Sequence, residues 1–102
     1  MKIWFQAFSP HPDVDPAWRY YDEACERYVP TLARSDTQIT FASTSARAPK
    51  MVVSSYVRYL HLREIIDNAM RAEAQGYDAF VLGGMGDLGY AELREVVDGH
   101  PV

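Results

Sequence analysis

Residues 77–90 read YDAFVLGGMGDLGY, and this stretch decides the fold. It begins with a short apolar run, Ala79 to Leu82, which is typical of a strand buried on both faces of a sheet. Three glycines and Asp87 follow the run, and a helical pattern starts at about Leu88. The stretch therefore predicts a strand that turns sharply into a helix.

The glycine turn at residues 83–87 is a candidate binding site. A strand that turns into a helix through glycines exposes several backbone N–H groups at one point, and the helix dipole adds partial positive charge there. Such a turn suits a carboxylate or another oxyanion. The alternative is that the glycines only permit a tight turn and bind nothing.

The first third of the chain predicts a strand and a helix. Residues 2–8 are rich in aromatic and branched side chains and predict a buried strand, which the two prolines of residues 9–13 end. Asp15 followed by Pro16 predicts the start of a helix. The apolar face predicted for this helix consists of Trp18, Tyr21, Ala24, Cys25 and Tyr28.

The middle of the chain predicts a second strand and a long helix. Residues 37–42 alternate in polarity, which is typical of a half-exposed edge strand. A long connection, residues 43–53, then precedes a helix that Gly76 ends in left-handed geometry. The residues predicted to face inward from this helix are Val57, Leu60, Ile65, Ile66, Ala69 and Met70. Those of the last helix are Leu93, Val96 and Val97.

The resulting order, β-α-β-α-β-α, predicts an α/β fold with three layers, α/β/α, around a parallel sheet. Ligands of such sheets bind at the carboxyl ends of the strands, where residues 9–13, 43–53 and 83–87 meet. The chain stops at His100-Pro101-Val102, where a fourth strand would begin. Residues 1–102 are therefore expected to form a single lobe, the first part of a longer, truncated protein.

Composition narrows the class of protein. The chain has 102 residues, 48% hydrophobic and 24% charged, which is an ordinary globular composition. Its net charge of −4 and the absence of a basic run predict no nucleic-acid or membrane partner. Cys25 is the single cysteine, so no internal disulfide forms, and the expected location is the cytoplasm.

Residues 72–89, AEAQGYDAFVLGGMGDLG, resemble the central motif of the aspartate/glutamate/hydantoin racemase superfamily, with the hydantoin racemases as the nearest branch. Ser9-Pro10 lies where these proteins usually carry Asn-Pro, and the helix opening at Ser55-Tyr56 also resembles theirs. The resemblance implies the flavodoxin-like half of the racemase fold, in its N-terminal lobe. It also implies a cofactor-independent isomerase.

The resemblance implies racemisation by two cysteines, one in each lobe, that flank the Cα of the substrate. The first cysteine falls on Gly84, which has no side chain, and the second would lie beyond Val102. No catalytic residue is therefore assigned. The implied substrate is a small carboxylate or a cyclic imide of the hydantoin type. The residues expected to bind it are Ser9, Pro10, Gly84, Met85, Gly86 and Asp87.

Two alternatives to a racemase lobe remain open. Arylmalonate decarboxylases, a sister branch, also carry glycine at the first thiol position and keep only the second cysteine, which suits one-base chemistry. A non-catalytic flavodoxin-like module would instead pair its sheet edge with a second copy or with another lobe.

Other residues have simpler interpretations. Asp87 is expected to cap the last helix, and Cys25 to be a buried structural thiol. His11 is either an exposed loop residue or a donor to an oxyanion, and His61 and His100 receive no role. The three histidines show no metal-ligand spacing, and the glycines lack a nucleotide-binding pattern. Tyr56 and Tyr90 either line a ligand pocket or pack against neighbouring residues.

Overall fold

A computed structural model describes residues 1–45, 55–84, 87–99 and 101–102. It contains the predicted alternation of strands and helices: β1 (Lys2–Pro10), α1 (Arg19–Tyr28), β2 (Gln38–Thr44), α2 (Ser55–Ala74), β3 (Ala79–Leu82) and α3 (Tyr90–Val96). Two short 3-10 turns, Pro16–Trp18 and Val29–Leu32, flank α1.

The three strands form one parallel sheet in the order β2-β1-β3. Trp4 of β1 lies opposite Thr40 of β2 and Phe80 of β3, so these three side chains share one face of the sheet. This parallel sheet with flanking helices is the predicted α/β fold and is consistent with a flavodoxin-like half-domain. Strand β2 lies at an edge, as its alternating polarity predicted.

Apart from Ala7 of β1 and Val57 of α2, which are also buried, the core lies on one face of the sheet, under α2 and α3. It is a single cluster that consists of Trp4, Ile65, Ala69, Ala72, Phe80, Leu93 and Val97. The prediction that β3 is buried on both faces is therefore wrong. Phe80 is 1% exposed, whereas its neighbour Val81 is 38% exposed. Since successive side chains of a strand point to opposite faces, Val81 joins the second face, where Phe5 and Phe41 stack with ring centroids 5.6 Å apart.

The predicted apolar face of α1 is also wrong in part. Tyr21 and Tyr28 are 40% and 62% exposed, and the buried residue of this helix is Asp22. The Asp22 carboxylate accepts hydrogen bonds from hydroxyl groups of β1 and β2, at Ser9 and Ser43. Polar contacts therefore orient α1 against the sheet, and they turn the tyrosines toward solvent.

The predicted helix boundaries at Asp15 and Gly76 agree with the structure, whereas the last helix begins at Tyr90 and not at about Leu88. The Asp15 carboxylate accepts a hydrogen bond from the Ala17 N–H at 3.1 Å, so it caps the turn that leads into α1. Gly76 adopts a φ of +76°, and the following N–H, of Tyr77, donates to Ala72 O at 3.0 Å, which closes α2 in left-handed geometry.

Two residues predicted to face inward, Met70 and Val96, are 50% and 44% exposed. Each lies just outside the stripe that its helix presents to the sheet.

The chain returns to the sheet after α3. The Phe80 N–H donates to Pro101 O at 3.0 Å, and Val102 packs against the core cluster. Pro101 therefore lies beside the outer edge of β3, at the position where a fourth strand would continue the sheet.

Candidate functional site

The carboxyl edge of the sheet brings together the ends of β1 and β2 and the start of the glycine turn. Pro10 lies opposite Thr44, and the Gly83 N–H donates to Gln6 O at 2.8 Å. The prediction that residues 9–13 form a loop is wrong at its start, because Ser9 and Pro10 belong to β1. A shift in register between Gln6 and Pro10 and the position at the strand end explain why proline is tolerated there.

Ser9 is buried and fully engaged. Its hydroxyl donates to Asp22 Oδ1 at 3.1 Å, and its carbonyl accepts the Thr44 hydroxyl at 3.1 Å. Ser43 donates to the other oxygen, Asp22 Oδ2, at 2.7 Å. The buried Asp22 carboxylate thus links β1, β2 and α1 directly behind the carboxyl edge. Donation from Ser9 to a ligand requires its hydroxyl to leave Asp22, so the binding role of Ser9 stays a prediction.

The glycine turn offers fewer free donors than the sequence suggested. The Gly83 N–H is part of the sheet, and Met85 and Gly86 lie outside the described residues. Asp87 is exposed and adopts a φ of 48°. Its carbonyl accepts the Tyr90 N–H at 3.1 Å, but no side chain in the described part of the chain caps α3, whose N-cap is Gly89. The prediction that Asp87 caps this helix by its side chain is therefore wrong.

Gly84 is half-buried against the ring of Phe8. A Cβ atom at position 84 would overlap Cδ2 and Cε2 of Phe8 and lie 3.2 Å from Cγ. Phe8 itself packs against the core cluster, on the same face as α2. The aromatic ring thus fills the space that a side chain at position 84, including a cysteine, would occupy.

His61 is a candidate that sequence reasoning missed. It is 1% exposed, and its Nδ1 has no hydrogen-bond partner among the residues that the structure describes. Burial lowers the pKa of this imidazole, and the nearby Glu64 carboxylate opposes the shift only in part. A signal was present in the sequence, because Val57, His61 and Ile65 recur at i, i+4 spacing on one stripe of α2, and all three are buried.

An open depression lies beside the glycine turn, between the first turns of α2 and the residue before Gly89. It has a cavity volume of about 260 Å³ and is lined by Ser55, Arg58, Tyr59, Leu62 and Leu88. Arg58 has no ion-pair partner among the residues that the structure describes, so a cation is available at this rim.

The remaining candidates contribute little to the edge. His11 is exposed, and its Nδ1 accepts the Asp13 N–H at 3.1 Å. Tyr56 and Tyr90 are 69% and 42% exposed, Cys25 is a half-buried free thiol, and His100 lies outside the described residues. Within residues 1–45, 55–84, 87–99 and 101–102, no three His, Cys, Asp or Glu side chains group as metal ligands. In the same residues, no helix has the length and apolarity that crossing a bilayer requires.

Comparison with known proteins gives one relevant similarity. The chain is 38% identical over 73 residues to a protein named hydantoin racemase from Pseudomonas sp. (strain NS671). The matched segment covers 72% of this chain and 29% of that protein, so the chain spans less than a third of its relative's length. No protein-family profile and no solved structure matches the chain. The similarity supports a relation to racemases at the family level. It identifies neither a substrate nor a catalytic residue of this chain.

Proposed function

We propose that this chain is a ligand-binding lobe of a hydantoin- or amino-acid-racemase-like protein and binds a small cyclic imide or carboxylate at the carboxyl edge of its sheet. The observation that carries the proposal is the 38% identity to a hydantoin racemase over 73 residues. The fold supports it, because the ends of β1 and β2 and the turn after β3 converge at the edge where α/β proteins bind ligands. The proposed contacts are Ser9, Pro10, Gly84, Met85, Gly86 and Asp87.

The lobe supplies binding groups and no proton carrier at position 84. Racemisation removes a proton from one face of Cα and returns one to the other, which takes two acid/base groups. Gly84 has no such group, and the Phe8 ring leaves no room for one. Proton transfer in an intact protein would therefore depend on a second lobe, and this chain alone is expected to bind without turnover.

Binding is tested with 5-benzylhydantoin and, as a matched carboxylate, N-carbamoylphenylalanine, its ring-opened counterpart. Two-dimensional ¹H–¹⁵N spectra of the 102-residue chain are recorded during titration. The expected result is a set of amide shifts at the carboxyl edge, at Ser9, Gly84 and Asp87, with none at Gly76 and Tyr77 on the opposite edge. Saturating ligand without shifts at the carboxyl edge would refute the proposal.

The racemase assignment is tested by restoring a thiol. Gly84→Cys alone collides with Phe8, so the informative variant combines Gly84→Cys with Phe8→Ala. One thiol beside Cα is enough to exchange the C5 proton of 5-benzylhydantoin for deuterium on one face. We expect faster exchange in D₂O with the double variant than with Phe8→Ala alone, both in a Cys25→Ser background. Equal exchange rates at full ligand occupancy would favour a non-catalytic binding module.

A one-base decarboxylase is the second candidate, and the contact between Phe8 and Gly84 favours it. An aromatic wall in place of a thiol suits chemistry that needs a proton donor on the opposite face only. In that case 2-phenylmalonate would shift the same amides as the hydantoin, and a full-length protein would release CO₂ from it. Binding of the hydantoin without binding of the malonate would exclude this candidate.

A further inference from the structure

The imidazole of His61 stands out among the buried polar groups. Its Nδ1 is the one buried side-chain nitrogen or oxygen in the described part of the chain without a hydrogen-bond partner. The other buried polar side chains are engaged: Gln6 bonds to Trp4 and Asn68, and Asp22 to Ser9 and Ser43. Since native proteins satisfy nearly all buried polar atoms, an exception calls for an explanation such as a missing ligand.

Three contacts of α2 locate His61 over the end of β1. The Leu62 side chain lies against Gly89, on the β3 side of the helix. Glu64 accepts hydrogen bonds from Ser45 N and Oγ, at the end of β2. Because β1 lies between β2 and β3, a side chain that points at the sheet between these two contacts faces the carboxyl end of β1. The buried His61 points that way.

The position of His61 along the direction of β1 follows from a third contact. Asn68 Nδ2 donates to Gln6 Oε1 at 3.0 Å, so Asn68 of α2 lies next to Gln6 of β1. His61 lies seven residues before Asn68, or about 10 Å along a helix that rises 1.5 Å per residue. A strand covers the same distance in about three residues, at 3.3 Å each. Measured along β1, His61 therefore lies at the same position as Ser9 and Pro10, which belong to the candidate site.

The chemistry of a buried neutral imidazole narrows the ligand. Desolvation by burial lowers the pKa of His61, so the neutral form is present at pH 7. A neutral imidazole presents at Nδ1 either an N–H donor or a lone-pair acceptor. A cyclic imide carries both an N–H and carbonyl oxygens and matches either tautomer, whereas a carboxylate only accepts hydrogen bonds.

We propose that Nδ1 of His61 is a direct contact for the ligand and that this contact favours a cyclic imide over a carboxylate. The inference rests on the proposed function, since it takes the carboxyl edge as the binding site. It gives the unpartnered nitrogen a role: the ligand completes its hydrogen bond. A histidine that only fills the core would form no new hydrogen bond when the ligand binds.

The test compares His61→Leu, which removes the polar atom, with His61→Asn, which places an amide atom near the position of Nδ1. His11→Leu, at an exposed histidine, is the matched control. We expect His61→Leu to weaken 5-benzylhydantoin binding about tenfold, which is within the range expected for the loss of one buried hydrogen bond. His61→Asn should recover most of the affinity and His11→Leu should retain all of it. The melting temperature of His61→Leu should match or exceed that of the unsubstituted chain, because the substitution removes no hydrogen bond between His61 and the other residues that the structure describes.

A second measurement does not depend on how the variants fold. Long-range ¹H–¹⁵N spectra of the unsubstituted chain report the state of each imidazole nitrogen. The His61 Nδ1 resonance should move more on addition of 5-benzylhydantoin than on addition of 3-phenylpropanoate, a carboxylate that carries no N–H donor. If the hydantoin binds but this resonance does not move, or His61→Leu binds equally well, the inference is overturned. If the hydantoin does not bind the unsubstituted chain at all, the proposed function itself fails.

Discussion

The contact between Phe8 and Gly84 allows a prediction of stability with a definite sign. Gly84→Ala would introduce a Cβ atom that overlaps two atoms of the Phe8 ring, far inside the 3.4 Å at which ordinary contact begins. Overpacking of this kind costs about 1–3 kcal/mol. Gly84 does not have a positive φ, so alanine fits its backbone and recovers about 0.4–1 kcal/mol from the unfolded chain.

The net expectation is a loss of about 1–2 kcal/mol. For a domain of this size, that loss lowers the melting temperature by roughly 5–15 °C. In a Phe8→Ala background the ring is absent, so Gly84→Ala should be neutral or stabilising by up to about 1 kcal/mol. The coupling between the two positions should therefore reach about 1–3 kcal/mol.

Urea unfolding of the four proteins, followed by circular dichroism, measures this coupling. Gly76→Ala is the control, because its Cβ would meet no atom within 4 Å although its φ of +76° strains any side chain. It should lose about 1 kcal/mol in either background, independently of Phe8. If the effects of Gly84→Ala and Phe8→Ala add within about 0.5 kcal/mol, the ring does not occupy the space at Gly84.

Three further predictions concern the interior. Asp22→Ala should cost about 2 kcal/mol in urea unfolding, because it leaves the buried Ser9 hydroxyl without its acceptor, and Asp22→Asn should cost less because its amide oxygen still accepts one hydroxyl. Phe80→Ala should cost about 3–5 kcal/mol and Val81→Ala less than about 1, since only the first lies in the core; equal losses would contradict the exposure of Val81. The lowered pKa of His61 means that protonation favours the unfolded state, so its contribution is complete above the unfolded pKa of about 6.5 and is lost as the pH falls through the folded pKa. The melting temperature should therefore drop more between about pH 7.5 and about pH 5.5, one unit either side of the unfolded pKa, in the unsubstituted chain than in His61→Leu, and parallel curves would argue against a neutral His61.

The structure bears out those parts of the sequence analysis that depend on neighbouring residues. The order of strands and helices, the cap at Asp15 and the left-handed end of α2 at Gly76 all follow from local chemistry. Proline and glycine restrict or widen backbone conformation wherever they occur, and apolar spacing marks a helix or a strand without reference to the rest of the chain. The strand at residues 79–82 was predicted to its exact bounds for this reason.

What the sequence could not decide is which faces are covered and which polar groups meet. Tyr21 and Val81 have the apolar character of core residues but face outward, and Asp22 is buried because hydroxyl groups on two strands reach it. The contact of Ser9 with Asp22 spans 13 residues and that of Gln6 with Asn68 spans 62, so no local pattern encodes either.

The candidate site divides in the same way. The sequence by itself determined that a glycine-containing turn follows the third strand at the carboxyl edge of a parallel sheet. Only the tertiary structure decided that the Phe8 ring fills the space beside Gly84, and that the Nδ1 of His61 on α2 is buried without a partner among the described residues. The physical reason is that burial and hydrogen bonding depend on segments that are distant in the chain and become neighbours only when α2 packs across the sheet.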